Sequence, residues 1–326
     1  MKYLIGISVF IVLQILFIPL AIVGITIAFY KQVYGSKKLG VSATAIEILS
    51  GRWTMDVFGL RKDLTSIKLC KVLPNISVTA LWLVLFPLYA MRKITGKNTF
   101  YPIVPKQGYE NLKDMVMSRT VYFDNILERN LADSEQFVVM GAGFDTRCYG
   151  GLVPEHLALF ELDQKKTQEL KIQMLQKANV DLSNINFVEV NFQTNNWLDE
   201  LILAGYDTTK KTTFLWEGVT LYVSELDIRN TLQVIKAHAS KESILVADFY
   251  SKDFVTGEHF PMMKKTLKTL KETNEEFGFG IPFQKNDKTT FQSFISNQNI
   301  KLGESYYMGD KLEKGTWMVE AELIFE

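Results

Sequence analysis

Gly141 and Gly143 close an apolar run, Val138-Val139-Met140, and Asp163 closes the next apolar run twenty residues later. Glycines at the end of a buried strand let a flat polar ligand approach the backbone, and an acid at the next strand end can accept both hydroxyls of a ribose. A dinucleotide fingerprint needs a further small residue three positions after the second glycine, but position 146 is Thr. The spacing therefore fits a ribose-bearing ligand and makes no demand for a pyrophosphate. S-adenosylmethionine is such a ligand, with adenine, ribose and an amino-acid tail that can run over Gly141-Ala142-Gly143. A nicotinamide dinucleotide, and with it an oxidoreductase, fits less well because of Thr146.

Other chemistries have little to build on. His156, His238 and His259 are scattered without ligand spacing, and the two cysteines, Cys70 and Cys148, exclude a disulfide framework or a Cys-rich zinc site and suit a reducing compartment. No metal is implied. A formal net charge of zero gives a nucleic-acid partner no support.

The elements that must hold these residues alternate in period. Apolar runs over 136–143, 156–163, 185–192, 212–219 and 243–250 read as strands, and 300–308 and 316–325 as two closing strands. Between them, 109–131, 164–180, 224–239 and 290–298 read as helices, the third opened by a Ser224/Asp227 capping pattern. This alternation predicts an α/β fold, a doubly wound, mostly parallel seven-stranded sheet of Rossmann-like type. Its ligands would bind at the carboxyl ends of the strands, which bear Gly141–Gly143, Asp163, Asn191–Phe192 and Glu217–Gly218.

The strings SRTVYFDNIL (118–127), VVMGAGFDTRCYG (138–150), FELD (160–163) and LWEGVTLYVSE (215–225) occur in the order and spacing of one family. The chain resembles the leucine carboxyl methyltransferase-like branch of the class I S-adenosylmethionine-dependent methyltransferases over roughly 41–326, and VSATAIEILSGRW (41–53) looks like the family's lid. The resemblance implies S-adenosylmethionine as cofactor and O-methylation as the reaction. It implies that Arg119 pairs with the cofactor carboxylate, Gly141 and Gly143 line the methionine tail, Asp163 holds the ribose, and Glu217 lies beside the cofactor near the reacting centre. One position departs. The family has Asp-Leu after the third strand, where the acid accepts from the adenine amino group, and this chain has Asn191-Phe192. An Asn carbonyl can still accept that bond, and Phe192 can cover the ring. If the acceptor needs a base, Glu217 and Tyr222 are the candidates. Each residue also has a plainer reading: a solvated Arg119, an Asp145–Arg147 pair, a structural Glu217, a core Tyr222, and Trp53 and Phe58 as lid packing.

Two apolar runs lie before this region. Tyr3–Tyr30 carries no charge and exceeds the ~20 residues that span a bilayer. It is too long for a signal-peptide core and shows no cleavage pattern, so 1–30 reads as a transmembrane anchor. Residues 31–71 hold eight basic and three acidic residues, a charge of +5 that assigns them to the cytoplasm. The second run, Ile76–Met91, is short, contains Pro87 and is followed by the basic RKITGK (92–97). It reads as a re-entrant or interfacial membrane segment, or as an ordinary buried helix. The expected organisation is thus an anchor (1–30), a lid region with the apolar segment 76–91 (31–105) and a methyltransferase domain (106–326). The expected partners are the membrane and a lipophilic small-molecule or lipid acceptor, with the catalytic domain cytoplasmic. The alternatives are a carboxyl methyltransferase of a protein terminus and a membrane-tethered binding or scaffold protein with a degenerate fold.

Overall fold

The computed structural model describes residues 1–326 apart from 193–195, 259, 273–274 and 284–287, and apart from the side chains of 261, 262, 265, 269, 271 and 272. His259 therefore lies outside the described residues.

The chain opens with α1 (Lys2–Tyr30), which runs through a π-helical turn (Lys31–Gly35) into α2 (Ser36–Leu39). Gly40 ends this rod in the left-handed conformation. Three helices follow, each opened by a side chain that satisfies a free amide of the first turn. Ser42 caps α3 (Ala43–Val57), Asp63 caps α4 (Leu64–Val72), and Ser77 caps α5 (Val78–Thr95). α6 (Met115–Leu131) starts later than the pattern at 109 predicts, because Asn111 and Asp114 form a capping box just before it.

The remainder alternates. β1 (Gln136–Met140), β2 (Ala158–Asp163), α7 (Lys165–Lys177), β3 (Ile185–Glu189), α8 (Trp197–Leu203), β4 (Thr212–Trp216), α9 (Glu225–His238) and β5 (Ile244–Tyr250) follow in turn. Then come α10 (Lys252–Thr256), α11 (Pro261–Glu272), α12 (Thr289–Ser296), β6 (Lys301–Met308) and β7 (Met318–Ile324). The seven strands are ordered β3-β2-β1-β4-β5-β7-β6; β7 is antiparallel to both neighbours and the others pair in parallel. All seven expected strands are present. The short α8, and α10 and α11 between β5 and α12, are additions to the expected elements.

Successive residues of a strand point to opposite faces, so a sheet covered on both sides feeds two cores. Val138 and Met140 of β1 enter a core with Ile228, Leu232 and Ile235 of α9. Phe137 and Val139 enter another with Phe123, Ile126 and Leu127 of α6. Between β1 and β4 the winding reverses, which opens a crevice at their carboxyl ends. α3 and α4 cover that end: Trp53, Leu49 and Leu69 share a third core with Phe144 of the glycine loop.

α5 is longer than the 76–91 segment and has two engaged faces. On one, Trp82 meets Trp53 edge-on at 5.5 Å, Tyr89 meets Phe58 at 5.9 Å, and Leu85 is 8% exposed. On the other, α1 runs antiparallel to it. A Cβ on Gly24 would lie 2.7 Å from the Ala80 carbonyl oxygen, and one on Gly6 would lie 2.4 Å from Thr95 Cγ2. Trp82 and Leu85 thus belong to lid packing, as the buried-helix reading has it, while Phe86 is 39% exposed and stacks on Phe17. By length and composition α1 and α5 could each cross a membrane, and most of α1 is exposed apolar surface.

Candidate functional site

The glycine turn leaves β1 in a conformation that only glycine adopts easily. Gly141 has φ +68°, and a Cβ there would stand 2.5 Å from Val219 Cγ2. Gly143 has φ +44°, and its N–H donates to Asp163. The other Asp163 oxygen accepts from the Gln164 N–H at 2.6 Å. Burial raises the Asp163 pKa, and the two backbone bonds oppose that. Adding a side chain at Gly141 would fill the backbone cradle beside an acid at the next strand end. That is the arrangement an amino-acid tail joined to a ribose requires.

Arg119, Gly141, Gly143, Asp163, Asn191, Phe192, Glu217 and Tyr222 all line one cavity of about 1190 Å³ at the carboxyl ends of the strands. Phe192 lies within 6.1 Å of both the Trp197 and Trp216 rings. The lining also includes the apolar Ile48, Met115, Leu221, Phe254 and Phe277, and it reaches Lys37, Gly40 and Val41 at the end of the α1–α2 rod.

Glu217 sits among three arginines. Its Oε2 accepts from Arg52 Nη2 at 2.9 Å and Arg147 Nη1 at 2.5 Å, and Oε1 lies 3.1 Å from Arg119 Nε. Burial would raise its pKa, but Arg147, Arg52 and Arg119 outweigh burial and hold it at about 2. Asp145 shares Arg52 (2.9 Å) and Arg147 and is likewise held below the ordinary carboxylate range. Asp145 and Arg147 are thus paired, but within a larger array. The three cations make Glu217, a candidate base by sequence, a weak proton acceptor whose oxygens are already engaged.

Arg119 extends the array. Its Nη1 donates to the Tyr250 hydroxyl at 2.7 Å and to Asp248 Oδ2 at 3.3 Å. Asp248 also takes the Gly218 N–H at 2.9 Å. Burial pushes Asp248 up to about 6, with Arg119 opposing and Glu217 reinforcing the shift. The Tyr222 hydroxyl is 2.7 Å from the Thr44 hydroxyl, and burial raises its pKa, so it is no ready base either. Thr146, the residue that breaks the dinucleotide pattern, donates to Asp63 Oδ2 at 2.6 Å. It ties the first turn of α4 to the glycine loop.

Sequence reasoning missed three participants. Arg52 lay in the quoted lid string without a role. Asp248 was visible only as an acid inside an apolar strand. Glu47, on α3, faces the cavity, and desolvation by its walls raises its pKa against Gln32 and Arg119. Among the described residues, no group of three His, Cys, Asp or Glu is placed to hold a metal ion.

Residues 89–236 match the family model described as leucine carboxyl methyltransferase. Two curated relatives, from Mycobacteroides abscessus and Bacillus subtilis strain 168, are each named "putative S-adenosyl-L-methionine-dependent methyltransferase". They are 30% identical over 142 and 145 residues, or 43% and 44% of this chain. The chain spans about half the length of these relatives, 47% of each. A solved structure titled a "putative methyltransferase" from Thermobifida fusca YX shares the fold at a TM-score of 0.50 and 10% identity, covering 81% of this chain and 95% of that one. Over residues 89–236 the chain is similar to the leucine carboxyl methyltransferase family, and the curated relatives that it matches are named as S-adenosylmethionine-dependent methyltransferases.

Proposed function

We propose that the protein is an S-adenosylmethionine-dependent O-methyltransferase whose acceptor bears a carboxyl or hydroxyl group on a lipophilic, membrane-associated body. The observation that carries this reading is the mixed lining of the cavity. The glycine turn, Asp163 and Phe192 share it with the apolar Met115, Leu221, Phe254 and Phe277, and it reaches the end of the α1–α2 rod. Asp163 would take the ribose hydroxyls, Asn191 and Phe192 the adenine, and Arg119 the amino-acid carboxylate. When bound, the cofactor supplies an electrophilic methyl group on a sulfonium. The protein's work is then to align the acceptor and exclude water. The exposed apolar α1 supports membrane attachment, and the basic stretch 31–71 supports a cytoplasmic catalytic domain.

An ionised carboxyl acceptor needs no base, whereas a hydroxyl does. Glu217 is clamped, the Tyr222 phenol is shifted upward and Asp163 is assigned to the ribose, so Glu47, an exposed acid of α3 that lines the cavity, is the candidate base. The test is transfer of labelled methyl from S-adenosylmethionine to a membrane lipid extract. Label in the lipid fraction is expected. Its release as methanol in mild base marks a methyl ester, and retention marks an ether. Glu47→Gln should slow ether formation and spare ester formation. Cofactor binding with no transfer to lipid or soluble extracts would replace this reading with that of a binding protein.

A further inference from the structure

The α1–α5 layer has a geometry that bears on how the protein meets the membrane. α5 is engaged by α3 along one face, through Trp82, Leu85 and Tyr89, and by α1 along the other, from Ala80 to Thr95. The domain therefore lies alongside the helix pair and not at its end. A bilayer that enclosed α1 end to end would also enclose α3 with its Glu47, Arg52 and Asp56. The charges agree with this arrangement. Residues 1–46 and 64–109 contain no Asp or Glu. The antiparallel pairing brings Lys93 and Lys97 beside Lys2 at one end of the apolar layer, all three exposed. At the other end Lys31 donates to the Ile76 carbonyl at 3.1 Å, with exposed Lys37 and Lys38 beyond it. Lys2 and Lys31 are about 44 Å apart along the rod, from the 29 residues between them and a 1.5 Å rise. A crossing helix would export one of them, whereas a helix lying flat presents both to one leaflet.

We propose that α1 lies in the plane of a single anionic leaflet, with α5 between it and the domain, and does not cross the bilayer. This rests on the membrane reading above. The test uses the full chain with single cysteines at Leu4, Ile15 and Ile25, all exposed, since the native Cys70 and Cys148 are buried. Each variant is labelled with an environment-sensitive fluorophore and bound to phosphatidylcholine–phosphatidylglycerol vesicles with lipids brominated at shallow or deep acyl positions. The expected result is one common depth for all three sites and loss of binding to vesicles of phosphatidylcholine alone. A deepest position at Ile15, shallow at Leu4 and Ile25, would overturn the in-plane placement and leave membrane attachment standing. Absence of vesicle binding would overturn both. In intact cells, Lys2→Cys and Lys38→Cys should both resist an impermeant thiol reagent and both react after lysis. Reaction of Lys2→Cys before lysis would also overturn the placement.

Discussion

Arg52 of α3 reaches across 165 residues of sequence to Glu217 at the end of β4, with a 2.9 Å ion pair. The same guanidinium reaches Asp145 at 2.9 Å, and Arg52 is 1% exposed. The cover and the floor of the cavity therefore share one charge array. α3 cannot lift without taking one guanidinium from two buried carboxylates, leaving Asp145 to Arg147 and Glu217 to Arg147 and Arg119.

Removing that guanidinium should cost less than the about 3–5 kcal/mol of an uncompensated buried charge, because Arg147 still pairs both acids, but clearly more than a surface substitution. Arg52→Met should show this in chemical denaturation. Arg52→Lys keeps the charge but loses the planar fork that serves both acids, so it should fall between the two. A change within about 0.5 kcal/mol, typical of surface substitutions, would remove the latch.

Asp163→Ala should weaken S-adenosylmethionine binding by about 1.5–3 kcal/mol, the range for a lost hydrogen bond to a charged group. Calorimetric titration of a variant shown to be folded provides the measurement. Unchanged affinity would place the ribose elsewhere.

The array also titrates. Asp248 moves from an ordinary 3.8 to about 6 on folding, so the native state holds a proton that the unfolded chain has released. Its contribution to stability therefore falls as pH rises through the window from 3.8 to about 6. Glu217 runs the other way: held at about 2 against an ordinary 4.5, it loses its contribution as pH falls through that lower window. Asp248→Asn removes the first effect alone. Wild type should gain about 2–3 kcal/mol on that variant between about pH 7 and about pH 4. Denaturation curves at the two pH values give the comparison, and a gap independent of pH would contradict it.

Neighbouring residues of α5 should separate structure from membrane contact. Leu85→Ser empties a buried site and should cost about 2–5 kcal/mol, as for Leu→Ala in a core. Phe86→Ser should leave the fold and reaction with a short soluble acceptor near wild type, and reduce methylation of a bilayer-borne acceptor. Equal loss on both acceptors would make Phe86 part of the fold alone.

The sheet was legible because its central strands, such as Gln136–Met140 and Ile244–Tyr250, are largely apolar runs bounded by turn residues. The glycine turn and Asp163 were legible because residue type and strand-end position coincide. The arginine array was not. Arg52, Arg119 and Arg147 lie on three separate segments, and only the folded chain shows that they converge on one carboxylate. The two-faced role of α5 was hidden for a related reason. An apolar helix has the same composition whether it faces lipid, α3 or another helix.

The π-turn at Lys31–Gly35 makes α1 and α2 one unbroken rod of 38 residues that ends at the cavity wall. A flexible tether would let the site wander over a range of heights above a bilayer. Here no such linker separates the apolar rod from Gly40. On the proposed membrane reading, the cavity stands at one fixed height and attitude relative to the lipid. An acceptor's reach is then set by how far its reactive group lies from its lipid-soluble body. Acceptors that differ only in that spacing should be sorted by length, as along a ruler.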